Sequence, residues 1–466
     1  MYRIDNERFN NTFFSGKSFR HTTLNDKCRY RLFPFSSNTS SSNVLDTFDD
    51  ILGPFIRAVF GWKEPKNFDR ETVLNKICDN VSFPSTQDKT ALLSIIQDIY
   101  FENETRLVCN NVDTYKYAVG TTTDQNVSEY LVSALCDKES VKAALGRQRN
   151  TNISLLDKLV IENLPELEVD DKLTSYASLF PEIKRLFTKD FEFLAKKDDT
   201  GFSSIILLLS YYYFFYTSQV MLHLNRFCSM DRNITKLYFC VQWEKVSRNR
   251  EAFKNGWKTI EDKATGMFSH AVLLEMLNQT DSETLYCYDD LLNEYNSLSD
   301  EEKAQMFAEI ENLKNRYRTE CANSGGFGFS YEENNYRQGD IGSLIRGFFD
   351  DIMLQFMNTE RKRANDAYPK SFMDFCKNGF VQRRGQAGNV LAMTEEQLVL
   401  MTKVTIGDND KMRLNDLFKG FEQRGLFFDN SSKDCIVEFY EKLNLIEKKS
   451  DSGDAQYVKS LLGLPC

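Results

Sequence analysis

The 466-residue sequence has few prolines and histidines, and it has no pair of cysteines with CxxC spacing. Only 8 prolines interrupt the chain, while 37 phenylalanines and 21 tyrosines make it rich in aromatic side chains. Because proline breaks helices, this scarcity favours long helices over a β-sandwich punctuated by Pro and Gly. The 41% of hydrophobic and 27% of charged residues are typical of a folded protein. We therefore expect a mainly α protein with roughly three domains.

The cysteines and histidines also exclude some classes of site. The 11 cysteines are an odd number and are widely scattered, which is typical of reduced thiols in the cytosol. His21, His223 and His270 lie far apart in the sequence. Zinc sites usually show cysteines and histidines at short, regular spacing. We therefore expect no metal site and no cofactor.

From the sequence we expect neither a signal peptide nor a membrane span. Met1 and the residues after it lack an apolar core of signal-peptide length, so we do not expect export. The most apolar run, Phe202–Leu224, is long enough for a span but contains serines, tyrosines, Gln219 and His223. It is predicted to be a buried central helix, with its tyrosine hydroxyls hydrogen-bonded inside the protein. We expect a cytoplasmic protein without membrane contact.

The chain divides into four predicted regions. These are a basic and aromatic N-terminal arm with a polar linker (1–43), a helical body with the buried aromatic helix near 202–224 (44–322), a glycine-rich joint with a helix and a basic segment (323–390), and a winged-helix domain (391–466). Within the body, the polar stretch 119–126 is predicted to be a loop. The N-terminal arm either contacts a partner or nucleic acid, or packs its phenylalanines on the body.

The C-terminal region has the pattern of a winged helix, which consists of three helices followed by a β-hairpin. Thr394 and Gln397 form a capping-box signature for a first helix that ends near Thr405. A second helix is predicted over Leu414–Arg424. A third is predicted over Ser431–Leu443, capped by Asn430 or Ser431. Strand-like residues 445–448 and 456–459 flank a turn-rich loop at 450–454.

The charge is unevenly distributed along the chain. The net charge of −10 excludes a uniformly positive surface, and residues 281–314 are strongly acidic. The densest basic stretch lies between positions 361 and 384, where seven bases face only Asp366 and Asp374. We expect this segment to contact DNA through its bases, which are Arg361, Lys362, Arg363, Lys370, Lys377, Arg383 and Arg384.

The predicted third helix and wing have no net positive charge, so counterion release would contribute little to DNA binding there. This surface is therefore predicted to dock on a partner protein. The candidate docking residues are Lys433, Glu438, Glu441, Lys448, Lys449 and Tyr457.

Catalytic motifs are incomplete in this sequence. Residues 15–18 read SGKS, like the end of a phosphate-binding loop, but Asn11 stands where that motif has its first glycine. Glu244 and Lys245 follow an apolar stretch, yet adjacent residues of a strand point to opposite faces. Asp350 and Asp351 are adjacent in a predicted helix, where neighbouring side chains diverge by roughly 100°. We assign no catalytic residue.

Three segments are similar to one known family. They are YYYFFYTSQV (Tyr211–Val220), GNVLAMTEEQLVLMTKV (Gly388–Val404) and LNLIEKKSDSGDAQYVK (Leu443–Lys459). They resemble the DptG family, also called DndG, over the C-terminal third and the aromatic helix, and the similarity is diffuse over the first 200 residues. Its members are the middle component of a bacterial system that restricts DNA lacking phosphorothioate modification. The resemblance implies an ATPase partner and a helicase-like nuclease partner, which would carry the ATP hydrolysis and the strand scission.

These observations support one main hypothesis and two alternatives. The main hypothesis is a non-catalytic scaffold subunit that contacts double-stranded DNA within such a restriction complex. A free-standing winged-helix regulator would instead need a basic recognition helix. A cryptic metal-dependent nuclease would need carboxylates that the fold brings together.

Overall fold

The computed structural model describes residues 2–37, 45, 48–65, 69–148, 154–170, 174–197, 202–324, 331, 335–385, 388–448 and 456–461. Several predicted features lie outside these residues. They are most of the polar linker (38–43), the glycines of the joint (325–328), the wing loop (450–454) and Lys449.

The structure is 60% helix and 8% strand, which confirms the prediction of a mainly α protein. The helices are α1 (Asn6–Phe13), α2 (Leu52–Phe60), α3 (Arg70–Asn80), α4 (Thr86–Tyr100), α5 (Val112–Tyr115), α6 (Thr122–Leu135), α7 (Lys138–Gln148), α8 (Leu155–Asn163), α9 (Pro181–Lys197), α10 (Ser203–Leu224), α11 (Glu251–Lys254), α12 (Trp257–Ala264), α13 (Met267–Leu277), α14 (Tyr288–Ser297), α15 (Asp300–Asn323), α16 (Ile341–Asn358), α17 (Lys362–Ala367), α18 (Lys370–Gly379), α19 (Glu395–Ile406), α20 (Leu414–Gln423) and α21 (Asn430–Lys442), with a 3₁₀ turn at Asp49–Ile51.

The strands are short. They are β1 (Phe14–Ser15), β2 (Ser18–Phe19), β3 (Tyr238–Val241), β4 (Val381–Arg383), β5 (Asn389–Met393), β6 (Lys411–Arg413), β7 (Phe427–Phe428), β8 (Ile446–Lys448) and β9 (Gln456–Lys459). The chain forms two compact units, each built from three separate stretches. The first unit is Met1–Leu45, Phe214–Met393 and Gly425–Lys433, and the second is Asp46–Tyr213, Thr394–Arg424 and Asp434–Cys466.

A four-stranded sheet in the first unit has the order β4-β5-β3-β7. β3 runs parallel to both β5 and β7, with Cys240 opposite Ala392 and Tyr238 opposite Phe427, whereas β4 pairs antiparallel with β5. Cys240 and Ala392 are buried, as expected for strands covered on both faces. This sheet joins strands that are distant in sequence, and no pattern in the sequence predicts it.

The N-terminal arm belongs to the first unit and follows the packing alternative. Phe13, Phe19, Phe33 and Phe35 are all buried. The buried carboxylate of Glu275 on α13 accepts hydrogen bonds from the backbone N–H groups of residues 29 and 30, each at 2.8 Å. Every residue of α13 is buried, so this helix is a core element against which the arm packs.

Helices dominate the second unit, where α2 packs on α6, α7 on α9 and α3 on α8. α6 corrects one prediction: residues 119–126 are not all loop, because α6 begins at Thr122. Thr121 and Asp124 form a reciprocal capping box there, in which each side chain binds the other residue's backbone N–H. The threonines of this stretch therefore start a helix.

The apolar run forms the 22-residue helix α10, and its prediction as a buried core helix is confirmed. Its length and mean hydropathy of 1.4 would suffice to cross a membrane, but 83% of its most apolar window is buried inside the protein. The Tyr211 hydroxyl donates to the Arg424 carbonyl, and the Tyr212 hydroxyl donates to Asp190 at 2.7 Å. These two hydroxyls have the internal partners that the sequence predicted.

The three helices and two strands predicted near the C-terminus are present as α19, α20, α21, β8 and β9. The Thr394–Gln397 capping box is confirmed at the start of α19. α21 is capped differently from the prediction, because the Asp429 carboxylate, not Asn430 or Ser431, accepts the Ser432 N–H at 3.1 Å. β6, β9 and β8 form an antiparallel sheet in that order.

Candidate nucleic-acid and partner surfaces

The predicted basic segment folds as α17, α18 and β4 in the first unit. Phe372, Phe375 and Cys376 are buried on one face of α18, at the spacing of an amphipathic helix. Lys370 and Lys377 are exposed and lie seven residues apart. Seven residues correspond to about two helical turns, so both ammonium groups project from the same face, roughly 10 Å apart along the axis.

The seven predicted DNA-binding residues differ in their exposure. Five of them are exposed, and these form what we call the basic surface, namely Lys362, Arg363, Lys370, Lys377 and Arg383. Arg361 and Arg384 are only partly exposed. Arg384 donates hydrogen bonds to the carbonyls of Val241 and Gln242, so its guanidinium secures β4 and its loop to the end of β3.

Acidic neighbours reduce the net positive charge of the basic surface. Lys362 Nζ lies 3.2 Å from Asp366 Oδ2 in an exposed i,i+4 pair. Asp374 is partly exposed and lies between Lys370 and Lys377 on α18. Such exposed pairs contribute little free energy and are screened by salt, so Lys362 can exchange Asp366 for a phosphate at low cost.

The predicted docking residues occupy α21 and the β6-β9-β8 sheet. Glu438, Glu441 and Lys448 are exposed, and Lys448 Nζ lies 3.0 Å from Glu441 Oε1. Tyr457 is partly buried on the central strand β9, with the ammonium group of Lys411 5.5 Å from its ring centroid. The structure therefore brings four of the six residues together on the second unit. Lys433 is half-buried on the part of α21 assigned to the first unit, and Lys449 lies outside the described residues.

The SGKS motif forms a hairpin turn in the structure. Phe14–Ser15 and Ser18–Phe19 pair as β1 and β2, with Gly16 and Lys17 at the turn. Gly16 has a φ of +62°, a conformation that glycine adopts without strain and that two-residue hairpin turns require. A phosphate-binding loop instead connects a strand to the N-terminus of a helix. No such arrangement exists at these residues.

Glu244 is a buried carboxylate just beyond β3, held inside a network of polar groups. Arg250 Nη2 lies 2.7 Å from Glu244 Oε1, and the Ser432 hydroxyl donates to the same oxygen at 3.0 Å. Arg250 Nε also donates to Asp429 at 2.7 Å. Lys245, by contrast, is exposed. Glu244 is therefore committed to an internal ion pair.

Asp351 on α16 is likewise committed to internal partners. It is fully buried, and its carboxylate lies 2.8 Å from Lys314 Nζ and 2.6 Å from Arg318 Nε. Asn335 Nδ2 donates to Asp351 Oδ1 at 3.0 Å. Because Asp350 is exposed while Asp351 is buried, the two adjacent acids do not converge on one ion.

One group of potential metal ligands lies in the first unit. His223 in the last turn of α10, Cys287 at the N-cap of α14 and Asp289 in its first turn have ligand atoms within 4.8 Å of one another. All three side chains are buried. Burial raises the pKa of Asp289, but the imidazole of His223, 3.7 Å away, and the hydrogen bond from Arg232 outweigh this effect and hold the pKa below the usual range. No spacing pattern in the sequence marks this group, because His223 is remote from the Cys-x-Asp pair.

No protein-family model matches this chain, and no curated protein matches it. The resemblance to the DptG family therefore stays a prediction from the three sequence segments.

Proposed function

We propose that this chain is a non-catalytic scaffold subunit of a phosphorothioation-dependent restriction complex, acting in the cytoplasm on unmodified double-stranded DNA. In this proposal its partners are an ATPase and a helicase-like nuclease. The observation that carries DNA contact is the basic surface, because five exposed bases within 22 positions can neutralise neighbouring phosphates. The resemblance of three segments to the DptG family supports the identity of the complex.

We further propose that α19, β6, α20, α21, β8 and β9 form a winged helix that docks on a partner. Their order and the sheet order β6-β9-β8 agree with that fold. The exposed face of the third helix presents Asp434, Glu438 and Glu441 with only Lys442 as an exposed base. An acidic helix would be repelled by phosphates in the major groove, so the surface suits a protein partner better than DNA.

The two alternatives have weaker support. A free-standing regulator would insert α21 into the major groove of DNA. The acidic exposed face of α21 disfavours this insertion. A metal-dependent nuclease would need free carboxylates, whereas Glu244 and Asp351 are neutralised by Arg250, Lys314 and Arg318.

DNA binding across a salt series tests the first part of the proposal. The isolated chain, and the chain mixed with the ATPase and nuclease partners, would be titrated on duplexes with and without phosphorothioates. Binding by the isolated chain with a steep salt dependence supports direct DNA contact. Absence of binding by the isolated chain at low salt contradicts it.

Charge reversal on α21 tests the docking surface. We expect Glu438→Lys with Glu441→Lys to reduce co-purification with one partner at least about tenfold, since the new lysines would face the basic partner surface that the acids attract, and like charges across an interface disfavour binding. The matched control is Glu71→Lys with Glu162→Lys, two exposed acids on α3 and α8 of the same unit. Equal co-purification of both variants would contradict docking through α21.

A further inference from the structure

We propose that His223, Cys287 and Asp289 bind a structural zinc ion in the first unit, as three of its four ligands. This inference is independent of the proposed function. The three side chains supply a nitrogen, a sulfur and an oxygen, which are the donor types that Zn²⁺ takes in proteins. Mg²⁺ and Ca²⁺ prefer all-oxygen sites, so the thiol selects zinc over these ions.

The distances are close to those of a tetrahedral ion. With bond lengths of about 2.0–2.3 Å, two ligand atoms of tetrahedral zinc lie roughly 3.3–3.8 Å apart. His223 Nε2 and Asp289 Oδ1 are 3.7 Å apart, and all three ligand atoms lie within 4.8 Å of one another. The His–Asp separation exceeds a hydrogen bond, but an ion between the two atoms would fit it. Small side-chain rotations would bring the sulfur to bonding distance.

The environment of Asp289 also favours an ion. In the described part of the chain, no donor lies within hydrogen-bonding distance of Asp289 Oδ1, although this atom is buried. A buried carboxylate oxygen without a donor costs free energy. Arg232 Nε binds the other oxygen, Oδ2, and thereby orients Oδ1 toward His223 and Cys287. Such outer partners commonly fix the orientation of metal ligands.

The helix α14 adds electrostatic and geometric support. Cys287 is its N-cap and Asp289 lies in its first turn, where the helix dipole stabilises a carboxylate. The Asp290 carboxylate accepts the Cys287 N–H at 2.9 Å, which fixes the backbone of the cysteine. Zinc would join the end of α10 to the start of α14. Because the ligands are buried, the ion would be acquired as the unit folds.

Metal analysis of the full chain, purified without a histidine tag from zinc-supplemented cells, tests the proposal. We expect about one zinc per chain after dialysis, as for structural sites of this type. Protein from cobalt-supplemented cells should show the near-ultraviolet charge-transfer band of a thiolate bound to Co²⁺. Cys287→Ser should abolish that band, and His223→Gln should lower the metal content.

The matched control is Cys376→Ser, which alters a buried cysteine outside the group and should leave the metal content and the band unchanged. If Cys287→Ser does not fold, the zinc contents of the wild-type chain and of the His223→Gln variant still test the proposal. A wild-type chain with less than about a tenth of a zinc per molecule overturns the proposal. A cobalt band that persists in Cys287→Ser overturns it as well.

Discussion

Arg424 and Asp190 form a buried bidentate ion pair in the second unit. Arg424 Nε and Nη2 lie 2.7 and 2.6 Å from the two carboxylate oxygens of Asp190. The Tyr212 hydroxyl donates to the same carboxylate, and Arg424 also donates to the carbonyls of Gly420 and Val404. This network ties α9, α10, α19 and α20 together.

Removing one partner of this pair should strongly destabilise the protein. We expect Arg424→Met or Asp190→Asn to lower the free energy of unfolding by about 3–5 kcal/mol, because each leaves a buried charge without its partner. Urea unfolding followed by circular dichroism measures this loss. The double variant Asp190→Asn with Arg424→Met should lower the free energy of unfolding by less than the sum of the two single losses.

The matched control is the pair Glu182–Arg185 on the same helix α9. Its atoms are 2.9 Å apart, but the side chains are 83% and 71% exposed. Arg185→Met should therefore cost less than about 1 kcal/mol. Similar losses for Arg185→Met and Arg424→Met would contradict the structural role of the buried pair.

Two buried histidines should make the protein sensitive to mild acid. Burial, together with the nearby charge of Arg361 for His21 and of Lys263 for His270, lowers the pKa of each imidazole to about 3. The folded state thus favours neutral imidazole. The resulting stabilisation is complete above the unfolded pKa of about 6.5 and is lost as the pH falls from there toward 3.

At pH 5 each histidine should lower the free energy of unfolding by about 2 kcal/mol relative to neutral pH. Unfolding by urea between pH 7 and pH 5 measures it, in a window above the titration of most carboxylates. His270→Gln should reduce this pH dependence by about half. A wild-type stability that stays constant across the window would contradict the neutral, buried state of both imidazoles.

Gly425 should tolerate no side chain. Its φ of +77° is in the left-handed region, and an added Cβ would overlap the ring of Phe215. Gly425→Ala should lower the free energy of unfolding by about 2 kcal/mol or more, from backbone strain and overpacking. Gly146 on α7 is the control, because nothing lies within 4 Å of a Cβ built there. Gly146→Ala should instead stabilise the protein by about 0.5–1 kcal/mol. Equal destabilisation by Gly425→Ala and Gly146→Ala would contradict the close approach of Gly425 to Phe215.

Local signals in the sequence predicted much of the helical structure. The capping box at Thr394 marks the start of α19, and the apolar run marks α10. A similar signal is present at Thr121 with Asp124, within the polar stretch that was predicted to be a loop. The start of α6 could therefore have been predicted from these neighbouring residues.

Non-local arrangements could not be read from the sequence. Cys240 on β3 pairs with Ala392 on β5, and strands of two to five residues carry no periodicity that would reveal such a partner. The His223, Cys287 and Asp289 group depends on the same kind of long-range contact. The predicted set of DNA-contacting bases also includes Arg384, because the sequence could not show that its guanidinium donates internal hydrogen bonds.

The basic surface gives the most direct test of the account, through charge reversal at all five of its residues. The variant changes Lys362, Arg363, Lys370, Lys377 and Arg383 to Glu. The control reverses five exposed bases of the second unit, which are Lys76, Lys158, Arg185, Lys189 and Lys419. Both variants have the same net charge, so a difference between them reports the location of the charges and not their sum.

The measurement is the affinity of each variant for a duplex DNA as a function of salt concentration. The account predicts that the basic-surface variant loses about tenfold or more in affinity at low salt, and that its salt slope falls by about one for each lost phosphate contact. The control variant should bind with nearly the wild-type slope. Equal affinities and equal slopes for the two variants would contradict DNA contact through the basic surface.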